Sequence, residues 1–176
     1  IMQEILLGVG GVRLLRALGI QPSTFHMNEG HAAFLTLELL REKMAAGIAF
    51  EAAKEVTKQE CIFTTHTPVE AGHDRFTSDL MRIAAGKFPN NLGITHAQLM
   101  ELGNEHPGKP DGPFCMTALA LNFSRSANGV SALHGEVSRE MWKGFYGKTK
   151  AEDVPIGSIT NGIHLVGWIK GPMRRF

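Results

Sequence analysis

The sequence predicts an α/β protein built on a mostly parallel sheet. Segments with the apolar spacing of amphipathic helices alternate along the chain with short runs typical of strands. Strands that alternate with helices form parallel sheets with right-handed crossovers. Three predicted strands end in polar clusters, and a hydrophobic content of 43% over 176 residues suffices for a packed core. We therefore expect residues 1–176 to form a single α/β unit.

The first element is a helix predicted over residues 2–18, where apolar residues recur three or four positions apart. Gly8, Gly10 and Gly11 interrupt it, each at a cost of roughly 1 kcal/mol relative to alanine. We expect close packing against a neighbour to explain these glycines. A dinucleotide-binding loop is not favoured, because no strand precedes the glycines and Arg13 stands where that motif requires a small residue.

A strand over residues 23–27 leads into a second helix that ends near residue 46. The polar segment 26–31 lies at their junction, and its Asn28 stands where a helix N-cap would stand. Such a junction directs free backbone N–H groups and the positive end of a helix dipole toward a ligand. Ligands bind at these junctions in open α/β sheets. We expect this segment to form part of the functional site.

The rest of the chain continues the alternation. Residues 72–112 are interrupted by proline and asparagine turns, and we predict a surface excursion from the sheet there. The other predicted elements are a helix over 50–58, a buried strand over 60–65, a core helix over 114–123, a strand or turn over 126–131, a helix over 133–146 and a strand over 156–160.

Polar side chains follow three of the predicted strands. Because the carboxyl ends of parallel strands meet at one edge of a sheet, we expect these clusters to converge. Asparagine, threonine and neutral histidine offer the fixed donors and acceptors that a hydroxyl-rich ligand such as a sugar requires. The three clusters are Asn28 with His31, His66 with Thr67, and Asn161 with His164.

Other classes of function are disfavoured. Glu29 has no carboxylate partner at another strand end, as a glycosidase would require, and the histidine spacing predicts no metal site. A formal net charge of +1 with interspersed signs predicts no nucleic-acid partner and no membrane partner. Cys61 and Cys115 lie in apolar runs, which favours reduced thiols and a cytoplasmic protein. We expect the chain to be a piece of a longer protein, because it opens directly into a helical pattern.

Each candidate residue also has an ordinary structural interpretation when it is considered alone. His31 and His66 suit local hydrogen bonding, and Asn161 with Gly162 forms a common turn dipeptide. Trp168 suits an ordinary core position. His134, on a predicted helix, is interpreted as structural rather than catalytic.

Five segments, in order and over nearly the whole chain, resemble the α-glucan (glycogen, starch and maltodextrin) phosphorylases, particularly their shorter bacterial branch. The segments are FHMNEGHAAF at 25–34, FTTHTP at 63–68, MTALAL at 116–121, NGVSALHGEVS at 128–138 and VPIGSITNGIH at 154–164. The resemblance implies the B-type glycosyltransferase architecture of two Rossmann-like domains. This chain would then be the later part of the N-terminal domain, with the C-terminal domain outside it.

The resemblance also implies an activity. Phosphate would attack the non-reducing end of an α-1,4-glucan and release glucose 1-phosphate with retention at the anomeric carbon. The implied cofactor is pyridoxal phosphate, whose 5′-phosphate shuttles a proton. The family's Schiff-base lysine has no counterpart in this sequence. The resemblance further implies a cytoplasmic homodimer for the full-length enzyme, with glucan and phosphate as its partners.

Roles for individual residues follow from the same resemblance. His66 matches a catalytic and substrate-binding histidine whose side chain and backbone carbonyl contact the terminal glucose, and Thr67, the next residue of the motif, is a further substrate-binding candidate. A carbonyl near the anomeric carbon stabilises developing oxocarbenium charge. Asn161 matches an asparagine that binds the glucose 6-hydroxyl, and Val130 matches a small apolar residue of the same pocket.

The remaining matches lie at the margins of this pocket. Glu29 and His31 match an acidic residue and a histidine on the polysaccharide side, where the animal-type enzymes carry aspartate in place of Glu29. Trp168 matches a tryptophan beside the cofactor. We expect the chain to hold half of a sugar site and to be inactive alone. The alternatives are a carbohydrate-binding module without catalysis and a part of a glycogen or starch synthase.

Overall fold

The computed structural model describes residues 1–86, 88–109, 112–169, 171 and 173, without the side chain of Val166. Its centre is a parallel sheet of four strands in the order β1-β2-β5-β6, which confirms the predicted fold class. The register places Asn28 opposite Thr64, and Thr64 opposite Asn128. The four strands are β1 (Phe25–Asn28), β2 (Cys61–Thr64), β5 (Ser126–Gly129) and β6 (Ile156–Ser158).

Helices connect these strands as predicted, although their bounds differ by a few residues. The first helix is continuous through α1, a π-helical stretch at Leu6–Gly10, and α2. The α-helices are α1 (Met2–Ile5), α2 (Gly11–Ala17), α3 (Leu35–Ala45), α4 (Phe50–Glu60), α5 (Ser78–Ala85), α6 (Phe88–Asn91), α7 (His96–Leu102), α8 (Met116–Asn122), α9 (Ala132–Trp142) and α10 (Leu165–Trp168).

Gly8 packs directly against the start of α3, as predicted, but the same prediction was wrong for Gly11, where a Cβ atom would meet no neighbouring element within 4 Å. A Cβ atom at Gly8 would lie 2.6 Å from the backbone nitrogen of Leu35 and 2.9 Å from the carbonyl carbon of Phe34. Arg13 and Arg41 then hold the buried carboxylate of Glu38 between the helices, with nitrogen–oxygen distances of 2.7–3.0 Å. The first helix and α3 are therefore joined by both close packing and charge.

The junction between β1 and α3 differs from the prediction. Asn28 is the last residue of β1 and caps no helix, so the prediction of an N-cap there was wrong. Glu29 instead caps a 3₁₀ turn at Gly30–Ala32, and α3 begins only at Leu35. The N-cap of α3 is Phe34, which makes no side-chain cap hydrogen bond because its side chain carries no acceptor.

Residues 72–112 contribute to the core, so the prediction of a surface excursion was wrong in this respect. Met81, Leu92 and Leu99 from this segment are all at most 1% exposed. The segment also supplies β3 (Arg75–Phe76), which pairs antiparallel with β4 (Phe114–Cys115) in a second sheet that the sequence did not predict. Phe114, predicted as the start of a helix, belongs to this strand and stacks on Phe34.

The two cysteines are buried free thiols, as predicted. Burial raises the pKa of both Cys61 and Cys115 to about 12, so both remain protonated at neutral pH. Within the described ranges no helix combines the length and the apolar content needed to cross a membrane.

Candidate functional site at the carboxyl edge of the sheet

The ends of β1 and β2 are joined by a group of short polar contacts. The His66 ring places Nε2 2.6 Å from Oδ1 of Asn28. Because an amide oxygen only accepts, Nε2 donates here, and Nδ1 of a neutral ring is left as an acceptor. Both side chains are exposed, so this acceptor faces the space above the sheet edge.

Glu29 fixes the backbone of the same segment. Its Oε2 accepts from the backbone N–H of His66 at 2.7 Å and from the Thr67 hydroxyl at 2.9 Å. Its Oε1 accepts from the backbone N–H of Gly30 at 3.2 Å. Glu29 has a φ of 72°, the left-handed region that non-glycine residues rarely adopt. This strained backbone turns the carboxylate toward the end of β2. The contacts of the carboxylate then fix the backbone of His66 and the side chain of Thr67.

A second row of polar contacts runs across the sheet directly beneath this edge. Nε2 of His26 lies 2.8 Å from the Thr64 hydroxyl, which donates to Oδ1 of Asn128 at 3.1 Å. Nδ2 of Asn128 donates in turn to the carbonyl of Gly129 at 3.1 Å. The row therefore links the ends of β1, β2 and β5 through side chains as well as through the backbone ladder.

The ends of β5 and β6 bring Val130 and Asn161 together. The backbone N–H of Asn161 donates to the carbonyl of Val130 at 3.0 Å. On the other side, Nδ1 of the buried His134 accepts from the backbone N–H of Val130 at 3.2 Å, which confirms a structural role for His134. Val130 is half-buried and Asn161 is exposed, so the asparagine side chain is available at the edge.

Three other predicted residues lie apart from these contacts. His31 lies near Asp74, with Nδ1 3.3 Å from Oδ2. The ring of His164 lies over Gly167, where a Cβ atom would be 2.2 Å from Cδ2. Trp168 is 82% exposed, so its interpretation as an ordinary core residue was wrong. Contacts join Asn28, His66 and Thr67 at the ends of β1 and β2 through Glu29, and Asn161 follows β6 of the same parallel sheet. His31 and His164 lie outside these contacts.

Several groups in this region were missed by sequence reasoning. The contact between Glu29 and the His66 backbone depends on the positive φ of Glu29, which cannot be predicted from the residue type because glutamate rarely adopts it. Asp74 follows β2 by ten residues and returns to His31 through the loop before β3. The contact between Thr64 and Asn128 could have been expected from the parallel register, which places them opposite each other, whereas His26 is opposite Ile62 and reaches Thr64 diagonally.

The edge as a whole offers neutral donors and acceptors together with one carboxylate already engaged by backbone and hydroxyl groups. Among the described residues, none donates a hydrogen bond to the carbonyl oxygen of His66. Neither that oxygen, nor Nδ1 of His66, nor the amide group of the exposed Asn161 has a hydrogen-bond partner among the described residues. Such a set suits an uncharged polyhydroxyl ligand better than an anion.

Comparison with known proteins extends this interpretation. The chain is 39% identical over 175 residues to maltodextrin phosphorylase of Thermococcus litoralis, a match that covers 99% of the chain. It is 41% identical over 181 aligned residues to glycogen phosphorylase of Mycobacterium tuberculosis, covering 96% of the chain. The chain is homologous to one segment of the phosphorylases. Glycogen phosphorylase of Aquifex aeolicus is 32% identical over 173 residues, which cover 98% of the chain.

The chain spans about a fifth of the length of these phosphorylases, at 20% of the first two and 24% of the third. No family model matches the chain. The homology thus extends over nearly all of this chain and over a minor part of each phosphorylase.

Proposed function

We propose that this chain forms the glucose-binding edge of an α-glucan phosphorylase. The observation that carries the proposal is the joining of His66, Asn28 and Glu29 at one sheet edge, with Asn161 and Val130 at the adjacent strand ends. In this proposal the terminal glucose of an α-1,4-glucan binds above β2 and β5. The His66 ring and the Asn161 amide bind its hydroxyl groups, and Val130 packs against it.

The proposed reaction is phosphorolysis of the glucan to glucose 1-phosphate with retention. The chain's contribution to the chemical step is the His66 carbonyl, which places negative charge where an oxocarbenium ion would develop. Glu29 holds that segment in place, and Thr67 is anchored to the same carboxylate, so we assign Thr67 to the support of the pocket. A fixed dipole stabilises a charged transition state without reorganising during the reaction.

The proposed cofactor is pyridoxal phosphate, held by a domain outside this chain. When bound, it supplies acid–base chemistry through its 5′-phosphate. Trp168 fits a place beside it, because a large aromatic side chain that is 82% exposed in this structure offers a flat apolar surface to a neighbour. We further propose that residues 1–176 are the later part of the N-terminal domain, in a cytoplasmic enzyme that works as a homodimer.

The test uses the longer protein that contains this chain, loaded with pyridoxal phosphate and supplied with maltoheptaose and inorganic phosphate. We expect release of glucose 1-phosphate that requires both substrates. Replacing Asn161 with alanine should raise the KM for the glucan about tenfold, because a hydrogen bond to a hydroxyl group is lost from the pocket. Binding of maltoheptaose with no phosphate-dependent product would favour the carbohydrate-binding module, and activity with a nucleotide sugar would favour the synthase.

A further inference from the structure

His31 and Asp74 meet outside the polar group that holds His66. Nδ1 of His31 lies 3.3 Å from Oδ2 of Asp74, and the two side chains are 57% and 46% exposed. A carboxylate at this distance favours a proton on the ring nitrogen that faces it. The opposite nitrogen, Nε2, is then unprotonated in the neutral ring and acts as an acceptor.

The backbone on either side of Asp74 is held firmly. His73 is buried, with Nδ1 2.9 Å from the Thr117 hydroxyl and Nε2 3.1 Å from the Met141 sulfur. Arg75 donates two hydrogen bonds to Glu105, at 2.6 and 2.7 Å. The carbonyl of Asp74 itself accepts from the backbone N–H of Met116 at 3.0 Å. Asp74 therefore stands on a backbone that is fixed by its neighbours and by the start of α8.

His31 is fixed in the same way from its own side. It belongs to the 3₁₀ turn Gly30–Ala32, which is anchored by Glu29. A Cβ atom at Gly30 would lie 3.2 Å from the Thr117 hydroxyl and 3.3 Å from Cβ of Met116, so the turn packs closely on α8. The backbones of both residues therefore pack against the start of α8.

Glu4 is a further charged group near this contact. A carboxylate oxygen of Glu4 lies within 4.8 Å of the facing atoms of His31 and Asp74. Burial raises the pKa of Glu4, and the neighbouring carboxylate of Asp74 raises it further. Asp74 therefore neighbours both Glu4 and His31, and it is the carboxylate at ion-pair distance from the imidazole.

We propose that Asp74 is a positioning residue for His31, holding the ring in the Nδ1–H tautomer so that Nε2 accepts a hydrogen bond from a hydroxyl group of the bound glucan. The predicted effect on glucan binding rests on the proposed function, while the predicted effect on the tautomer of the His31 ring does not. Asp74 touches no reacting atom in this account. It acts through the orientation and the tautomer of His31.

The first test is nitrogen NMR of the longer protein labelled with [15N]histidine, in which His31→Gln identifies the signals of His31. We expect the neutral His31 ring to carry its proton on Nδ1. In Asp74→Asn that proton should move to Nε2, the tautomer that an imidazole without a facing carboxylate prefers. The exposed Asp79, paired with Arg82 on α5, supplies the control, and Asp79→Asn should leave the His31 signals unchanged. An Nε2–H tautomer in the unmodified protein, or no change in Asp74→Asn, would overturn the proposal.

The second test is a double-mutant cycle on the phosphorolysis of maltoheptaose by the same protein. Asp74→Asn should raise the KM about tenfold, since a hydrogen bond to a fixed acceptor is lost. In the His31→Gln background the same substitution should change the KM less than about twofold, because the residue through which it acts is gone. A full effect in that background would show a structural role and contradict the proposal. Absence of phosphorolysis in the unmodified protein would refute the proposed function. The NMR experiment would still decide whether Asp74 sets the tautomer of His31.

Discussion

At the scale of single residues, Glu29 links backbone strain to the geometry of the site. A non-glycine residue with a positive φ and an extended ψ costs of order 1–3 kcal/mol, because that region is almost restricted to glycine. Glu29 adopts it with a φ of 72°, and its carboxylate then reaches the His66 N–H and the Thr67 hydroxyl. Glycine would relieve the strain but would leave the His66 N–H without its acceptor. The contact with the His66 N–H therefore requires a residue that has a carboxylate and that also adopts the strained backbone conformation.

Substitutions of Glu29 should rank by the acceptors they retain. Glu29→Gln keeps one oxygen acceptor, whereas Glu29→Ala removes all three contacts made by the carboxylate. We expect the KM for maltoheptaose to rise about threefold in Glu29→Gln and about thirtyfold in Glu29→Ala. The first variant weakens the hydrogen bonds by removing the charge, and the second removes the hydrogen bonds altogether. Steady-state kinetics measure the ranking. Equal KM values in the two variants would show that the carboxylate does not position His66.

At the scale of elements, the contact between the first helix and α3 depends on one of the three glycines. Gly8 faces the backbone of Phe34 and Leu35 at distances that no Cβ atom tolerates, while Gly11 has no atom within 4 Å of its ideal Cβ position. The two positions lie in the same continuous helix. Replacing each glycine with alanine therefore changes helix propensity by the same amount, while only the substitution at Gly8 disturbs packing against another element.

We expect Gly8→Ala to lower the free energy of unfolding by about 2 kcal/mol, because the backbones of the two helices must separate. Gly11→Ala should raise it by as much as about 1 kcal/mol, since alanine is the better helix former and meets no neighbour. Urea denaturation of both variants measures the difference. Equal effects of the two substitutions would contradict the close packing at Gly8.

Glu38 makes the same helix contact dependent on pH. Burial opposes its charge, but hydrogen bonds from Arg41 and Arg13 outweigh burial and lower the pKa of Glu38. A lowered pKa in the folded state stabilises the protein above the unfolded-state value and is lost as the pH falls through the folded value. Glu38→Gln should therefore cost about 2 kcal/mol at pH 7. The difference from the unmodified protein should shrink below about pH 4.5, the ordinary value for glutamate, and a constant difference down to pH 3 would contradict this account.

The sheet and the convergence of its strand ends could be predicted from the sequence, because apolar periodicity and polar strand ends are local signals. The second sheet could not, since β3 and β4 each have two residues and lie far apart in sequence. The burial of Met81 and Leu99 was missed because proline and asparagine turns dominate residues 72–112. Within the site, the positions of His66 and Asn161 followed from strand ends, whereas the role of Glu29 depended on a backbone angle and that of Asp74 on a loop contact.

At the scale of the whole molecule, the segment after β6 presents an apolar surface beside the sheet edge. Its exposed side chains include Ile159, Ile163, Leu165 and Trp168, with exposed fractions of 61–85%. Large apolar side chains that are exposed together mark a surface that contacts another protein unit. We interpret this surface as the face toward the second domain of the proposed enzyme. The glucose site would then lie in the cleft between that domain and the edge that carries His66 and Asn161.

The most direct test of this account is a crystal structure of the longer protein with bound maltoheptaose. We predict that the terminal glucose lies within hydrogen-bond distance of the His66 ring and the Asn161 amide, with the His66 carbonyl facing the anomeric carbon and Val130 in contact with the sugar. Glucan bound elsewhere, with the carboxyl edge of the sheet covered by protein or open to solvent, would contradict the central claim.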